Sequence, residues 1–252
     1  MDDLTNTKPD LKVSGAENQF PKVRLVAPTG HTFVILALEI DHRPPLFAFW
    51  ESRAKKQAIQ ALKAFSTDLA GLVDLSIFKA VLAPPGRGEY LKQRLEIPIA
   101  RYDLVMLLEL ETTAAAQTLQ SSTAWQTLLA DLKPLALNTL ELQASNPRQI
   151  GPVDHTRQGI FLFNFFYADD LAQNLGIWEY TAGWFVKQTG LDNSCLMAPE
   201  TDSIYTVINH CRWDSLWHIL PSILFKPSFK SYVTANFNAN KTAPIPILYK
   251  LA

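Results

Sequence analysis

Nine consecutive residues, Ile-Phe-Leu-Phe-Asn-Phe-Phe-Tyr-Ala from Ile160 to Ala168, constrain the fold of this chain more than any other feature. Alternate side chains of an extended segment point to opposite faces. Phe161, Phe163, Phe165 and Tyr167 therefore share one face, and Ile160, Leu162, Asn164 and Phe166 the other. Neither face suits water, so this strand has to be covered on both sides. Asn164 is the one amide in the run. A polar atom in a covered sheet costs free energy unless it is paired or used.

The rest of the chain fits a sheet of this kind. Residues 32–38 form a second, almost continuously apolar run. After Pro44-Pro45 comes a helical stripe of Ile59, Leu62, Phe65 and Leu69, with Gly71 placed as a C-terminal cap. Strands are predicted over 72–82, 101–110 and 138–143. A small amphipathic turn over 89–95 and a helix over 114–132, interrupted near Ser121-Ser122, separate them. This is the β-α-β-β-α-β order of a ferredoxin-like domain.

The order then repeats. The strand at 160–168 leads into a helix over 170–189 with an inward stripe of Leu171, Leu175, Trp178, Ala182 and Phe185, closed by Gly190. A hairpin over 194–198 and 205–213 follows, then helical material to about 238, which Pro221 and Pro227 should break. A last strand covers 244–251. The expected organisation is a flexible or loosely docked arm over 1–27, repeats at 28–145 and 159–252, and a linker at 146–158 carrying Asn146-Pro147 and Gly151-Pro152. The fold class is α+β, with the two repeats packed sheet to sheet.

Composition removes several functions. With 23 Lys+Arg against 24 Asp+Glu, the formal charge of -1 argues against a phosphate-tracking nucleic-acid binder. Ten glycines are few, and Gly86-Arg87-Gly88 lacks the remaining residues of a dinucleotide or P-loop motif. Gly-x-Ser-x-Gly, His-Glu-x-x-His and Cys-x-x-Cys are absent. Cys195 and Cys211 are too few and too far apart for a zinc site, so no metal is expected and both read as reduced thiols of a cytoplasmic protein. The polar N-terminus has no secretory-signal pattern, and no apolar stretch reaches membrane-spanning length.

The doubled βαββαβ order, the segment from Asp214 to Asn240 with Lys226-Pro227-Ser228-Phe229 at its centre, and the terminal Pro246-Ile247-Leu248-Tyr249 strand resemble the dimeric α/β-barrel superfamily in a fused, tandem form. The resemblance covers about residues 32–252. It implies a pseudo-dimeric α/β barrel, as a monomer with paired repeats or as a homodimer. Members include cofactor-independent monooxygenases, haem-degrading monooxygenases, chlorite-dismutase-like haem proteins and barrels without assigned activity, so fold alone does not choose a function.

Candidate site residues cluster around Asn209-His210-Cys211-Arg212-Trp213, with Trp217-His218 just beyond. Overlaying residues 105–111 on 207–213 turns Asn209, Cys211 and Trp213 toward the space between the sheets, where Asn164 and Phe166 join them, and places His210 and Arg212 on the other face. The expected catalytic set is Asn164, Asn209, His210 and His218, and the expected substrate-binding set is Trp213, Cys211, Phe166, Trp217 and Glu109. Glu109, near a strand end, can serve as a general base if an apolar wall raises its pKa; the competing reading is a solvated carboxylate. His210 reads more simply as a core-edge histidine bonded to backbone than as a ligand, and the tryptophans as packing. The haem-degrading branch uses an Asn on the first strand, a Trp near the third and a His on the next helix, to which Asn164, Trp213 and His218 roughly correspond by resemblance.

The expected activity is binding of a small apolar or aromatic molecule, with cofactor-independent monooxygenation as the reaction if the protein is an enzyme. The alternative is a non-catalytic structural or partner-binding barrel. Haem is a third reading, which requires a histidine facing a cavity with room for a macrocycle. No nucleic-acid or membrane partner is expected.

Overall fold

The computed structural model describes residues 10–14, 19–41, 51–65 and 69–252. The first repeat contains β1 (Thr32–Glu39), α1 (Arg53–Ala64), β2 (Leu72–Leu82), α2 (Gly88–Leu91), β3 (Leu104–Leu110), α3 (Thr113–Ser121), α4 (Thr123–Leu132) and β4 (Asn138–Ser145). A short β5 (Gln149–Gly151) leads to the second repeat: β6 (Ile160–Ala168), α5 (Leu171–Thr189), β7 (Ser194–Pro199), β8 (Val207–Trp213), α6 (Leu216–Phe225), a π-helical turn at Phe229–Thr234, α7 (Ala235–Ala239) and β9 (Thr242–Leu251).

Local sequence sets the helix ends. Ser122 stops α3 and caps α4, its hydroxyl accepting from the Trp125 N–H, which explains the expected interruption. Asp170 caps α5 at one end, and Gly190, at φ 70°, closes it in the left-handed conformation that glycine tolerates. One expectation is corrected: α6 runs through Pro221 and stops before Pro227. The carbonyl that Pro221 leaves unpaired belongs to Trp217, in the exposed first turn of the helix, so water satisfies it.

All strand pairings are antiparallel, in the order β4-β1-β3-β2-β9-β6-β8-β7, and a pairing of β4 with β7 closes the barrel. Each repeat supplies four strands in the same internal order. The repeats meet edge to edge at β2–β9 and β4–β7, so closure leaves few unpaired strand edges. The two sheets are thus continuous through backbone hydrogen bonds as well as facing one another. This is the pseudo-dimeric α/β barrel of paired ferredoxin-like repeats.

The barrel interior is a packed core. Phe33, Phe78, Phe161, Phe163, Phe165 and Tyr249 all project inward, and the Phe78 ring centroid lies 5.0 Å from that of Phe161 and 5.1 Å from that of Phe163. The space expected between the sheets is therefore filled, apart from a cavity of about 70 Å³ at one end. The helices cover the outside: Leu36, Met106 and Leu108 pack under Leu62 and Trp125 in the first repeat, and Phe166 and Val207 pack under Leu175 and Trp178 in the second.

The N-terminal arm lies along the second repeat. Asn240 and Asn236 accept from the Lys12 and Ser14 N–H groups, and Phe20 is buried edge-on against Tyr232. Gly183 on α5 makes room for this arm, because a Cβ there would fall 1.9 Å from the Pro21 carbonyl oxygen.

Candidate functional site

The β-strand register decides where the candidate residues point. In the first repeat Thr32 pairs with Leu110 and Leu38 with Leu104; in the second Ile160 pairs with Trp213 and Phe166 with Val207. Leu104 therefore corresponds to Val207, one residue away from the overlay used in the sequence reading. A one-residue slip moves every side chain to the opposite face. Asn209, Cys211 and Trp213 accordingly face the helices, and His210 faces the barrel interior, the reverse of the expected orientation.

The correction still leaves the set together. Asn164, Asn209, Cys211, Trp213 and Phe166 line one narrow pocket between the second sheet and α5, completed by Trp178, Phe185 and Ser194. It offers about 40 Å³, room for ordered water. Asn164 and Asn209 sit directly opposite each other on β6 and β8, and the equivalent pair in the first repeat is Leu36 and Met106. The fold thus builds the same position from apolar residues, so both amides are additions that packing does not require.

Their polar atoms are only partly matched. Ser194 donates its hydroxyl to Asn209 Oδ1 at 2.5 Å, but Asn164 Oδ1 is buried without a hydrogen-bond partner. Burial pushes the Cys211 thiol well above its ordinary pKa, which keeps it a neutral wall rather than a nucleophile. The Trp213 indole N–H donates to Thr189 Oγ1 at 3.0 Å, and the Thr189 hydroxyl donates to the Phe185 carbonyl at 2.6 Å.

Trp213 and Thr189 also border an open cleft of about 400 Å³ on the other side, with Arg157, Asn193, Arg212 and His218 among its walls. The indole is therefore the partition between an apolar inner pocket and a polar outer cleft. His218 Nδ1 shares a 3.0 Å hydrogen bond with Ser215 Oγ. Trp217 is 83% exposed and borders a different surface hollow, beside Lys250.

His210 and Glu109 lie elsewhere, at the cavity in the barrel end. Glu109 pairs with His31 at 2.6 Å, so the carboxylate read as a possible base is already partnered. His210 is stacked on Phe163 and shares a 2.8 Å contact with His155, which in turn contacts Asp74 at 2.7 Å. Burial, then the neighbouring His155, hold the His210 pKa well below its ordinary value. Burial pushes the Asp74 pKa upward, but the hydrogen bonds from His155 and Ser76 outweigh it and leave the carboxyl below its usual range. Cys195, on the same cavity, is pushed up to about 12 by burial and by the nearby Glu109.

Sequence reasoning missed His155, Asp74, Ser194 and Thr189. His155 lies in the stretch assigned as a linker, where alternation of Val153 and His155 inward with Asp154 outward was the available signal. Among the described residues no group of three or more His, Cys, Asp or Glu is arranged to hold a metal ion, and no helix is long and apolar enough to cross a membrane.

No family model matches the sequence, and no curated protein resembles it significantly. Solved structures do. An anthrone oxidase-like protein superposes with a TM-score of 0.67 at 10% identity, covering 91% of this chain and 94% of that one. A protein described as a candidate monooxygenase from Fusobacterium nucleatum superposes with a TM-score of 0.55 at 10% identity, covering 88% and 93%. At such low identity these likenesses establish the fold, over nearly the full length of each chain.

Proposed function

We propose that the chain binds a small aromatic molecule at the second repeat, its ring in the inner pocket and its polar edge in the cleft, and that it is a cofactor-independent monooxygenase. The observation that carries this reading is the unpartnered, buried Oδ1 of Asn164, at a position whose counterpart pair in the first repeat is Leu36 and Met106. A ligand hydroxyl or enol would supply the missing donor. The names borne by the two structural neighbours, anthrone oxidase-like and monooxygenase, point the same way.

The reaction class needs little from the protein beyond orientation and a proton acceptor. An activated CH2 beside a carbonyl gives up a proton, the resulting enolate passes an electron to dioxygen, and the adduct breaks its O–O bond. One oxygen atom stays as a new C=O and the other leaves as water with both hydrogens. Asn164 would hold the enol O–H, Trp213 would stack on the ring, and His218 in the cleft would take the proton. An aromatic ligand exceeds this narrow pocket, so binding requires Trp213 to swing out of its hydrogen bond with Thr189.

The test is anaerobic titration with anthrone, read by tryptophan fluorescence, followed by admission of oxygen with oxygen uptake and product mass recorded. Saturable binding with uptake that Asn164→Leu abolishes supports the proposal. Absence of binding by the folded protein refutes it and favours a structural barrel, a reading that the filled interior already suits.

A further inference from the structure

The residues between β5 and β6 close the end of the barrel. Val153 and His155 of this segment point into the terminal cavity, and Asp154 and Arg157 point out into the cleft. On the outer side the segment is tied by Arg212 Nη2 donating to the Gln158 carbonyl at 2.7 Å, by the Arg157–Asp154 pair within it, and by Arg157 with Asp214 at 3.7 Å. On the inner side its polar attachment is the His155 side chain, 10% exposed.

Counting protons along that attachment gives a definite answer. The row runs from Asp74 Oδ2 through His155 Nδ1 (2.7 Å), His155 Nε2 to His210 Nε2 (2.8 Å), and His210 Nδ1 to the Leu162 carbonyl (3.0 Å). A carboxylate and a carbonyl accept only, so three hydrogen bonds need three N–H groups on four ring nitrogens. Two neutral imidazoles supply two. The row is complete only with one neutral ring and one imidazolium. The extra proton belongs to the pair, and complete burial disfavours its charge on His210.

The geometry also identifies what lies between the rings. Their centroids are 5.1 Å apart, close to the longest separation that a 2.8 Å N···N contact allows, so they meet end to end on a nearly straight line. That is the path of a shared proton. A metal ion bound by both rings would sit at a bend or push the nitrogens further apart. Phe78 packs edge-on against both rings, and Phe161 lies parallel to His210.

We propose that residues 152–158 form a plug latched by this one proton, closed while the His155–His210 pair holds it and released when the pair loses it as pH rises. Loss of the proton leaves two lone pairs facing each other at 2.8 Å, or breaks one of the three hydrogen bonds. The other charged and titratable groups facing the pair do not replace the missing proton. Glu109 is engaged with His31, Cys195 holds its own proton, Tyr249 is a neutral phenol raised by burial, and Arg212 pairs with Asp214 and donates to the Gln158 carbonyl. On the acid side the latch persists until the pair takes up a second proton and both facing nitrogens carry hydrogen, which burial holds well below the ordinary imidazole value at His210. Release joins the terminal cavity, with Glu109 and Cys195 on its walls, to the outer cleft, because Pro152 borders both.

The experiment is hydrogen–deuterium exchange of the full chain, following the peptide that contains residues 152–158 between about pH 6 and pH 9, where unperturbed imidazoles lose their proton. Exchange times are scaled for the intrinsic pH dependence of the chemistry. In the wild type, protection falls past a midpoint by about tenfold per pH unit, the slope of one released proton. Asp74→Asn is the decisive variant. Its amide donates to His155 Nδ1, so two neutral rings complete the row, and protection stays high and flat with pH. His155→Phe keeps ring volume without any nitrogen, and its plug is poorly protected at every pH. Flat protection in the wild type, or a wild-type slope in Asp74→Asn, overturns the proposal; Asp74→Asn still decides the matter if His155→Phe does not fold.

Discussion

Replacing Asn164 with leucine should separate what the second repeat needs for stability from what it keeps for a ligand. The Asn164 Oδ1 is buried and unpartnered, and a buried polar atom left in that state costs about 1–3 kcal/mol. Leucine removes the atom and keeps the branched shape, its bulkier methyls extending into the adjoining pocket, and Leu36 already occupies the equivalent place in the first repeat, opposite Met106 as Asn164 is opposite Asn209. The backbone therefore accepts leucine there without strain. Asn164→Leu is expected to be more stable than wild type by about 1–3 kcal/mol, and each kcal/mol raises Tm by roughly 2–4 °C in a chain of this size. Urea unfolding is the assay, with the midpoint rising at unchanged m. The same variant should lose binding of an aromatic probe. Destabilisation by more than about 1 kcal/mol would refute the reasoning, because it would mean that Asn164 makes a contact on which the fold depends.

Two further outcomes follow from buried groups and close approaches. Stability should be bell-shaped in pH: below the ordinary imidazole value the unfolded chain binds two protons at His155 and His210 where the folded pair binds one, so stability falls as pH drops, at up to about 1.4 kcal/mol per unit. Above that value the unfolded pair binds none while the folded pair keeps one, so stability falls as pH rises; a monotonic profile of unfolding free energy from pH 5 to 9, about the range of imidazole titration, would contradict the proton count. Gly183→Ala places a Cβ against the Pro21 carbonyl and should detach the arm, costing about 1.5–3 kcal/mol for exposing Phe20 and opening the chain N-terminal to residue 27 to limited proteolysis.

Sequence pattern revealed the fold because the fold depends on features that pattern measures. Runs such as residues 32–38 and 160–168 are apolar on both faces only when covered twice, and Ser122, Asp170 and Gly190 mark helix ends through local hydrogen bonds and a left-handed φ. Closure of the barrel was legible as a doubling of elements. The filling of its interior was not, because alternation says that a face is buried and does not say whether side chains or a ligand cover it. Phe78, Phe161 and Phe163 would give the same pattern around a cavity as they give in contact at about 5 Å.

Five of the candidate residues were legible as a group but not in the direction they face, and His210, Glu109, Trp217 and His218 lie elsewhere. Alternation groups Asn164 with Phe166 on one strand and Asn209, Cys211 and Trp213 on its neighbour, and the register that sets Asn164 opposite Asn209 joins the two groups on one face. Which side that face looks toward depends on aligning β3 with β8, where a shift of one residue is not marked by the pattern because both strands are buried on both faces. The internal repeat resolves it only once pairing is known, since Leu104 and Val207 become equivalent through their partners on β1 and β6. The Asp74–His155–His210 row was out of reach for a different reason: its members are separated widely in sequence, and only closure of the barrel brings β2, β8 and the segment after β5 to one end. A polar residue inside an apolar strand was therefore a sound guide to both places. Asn164 led to the pocket under α5, and His210, on the opposite face, led to a proton shared within the barrel.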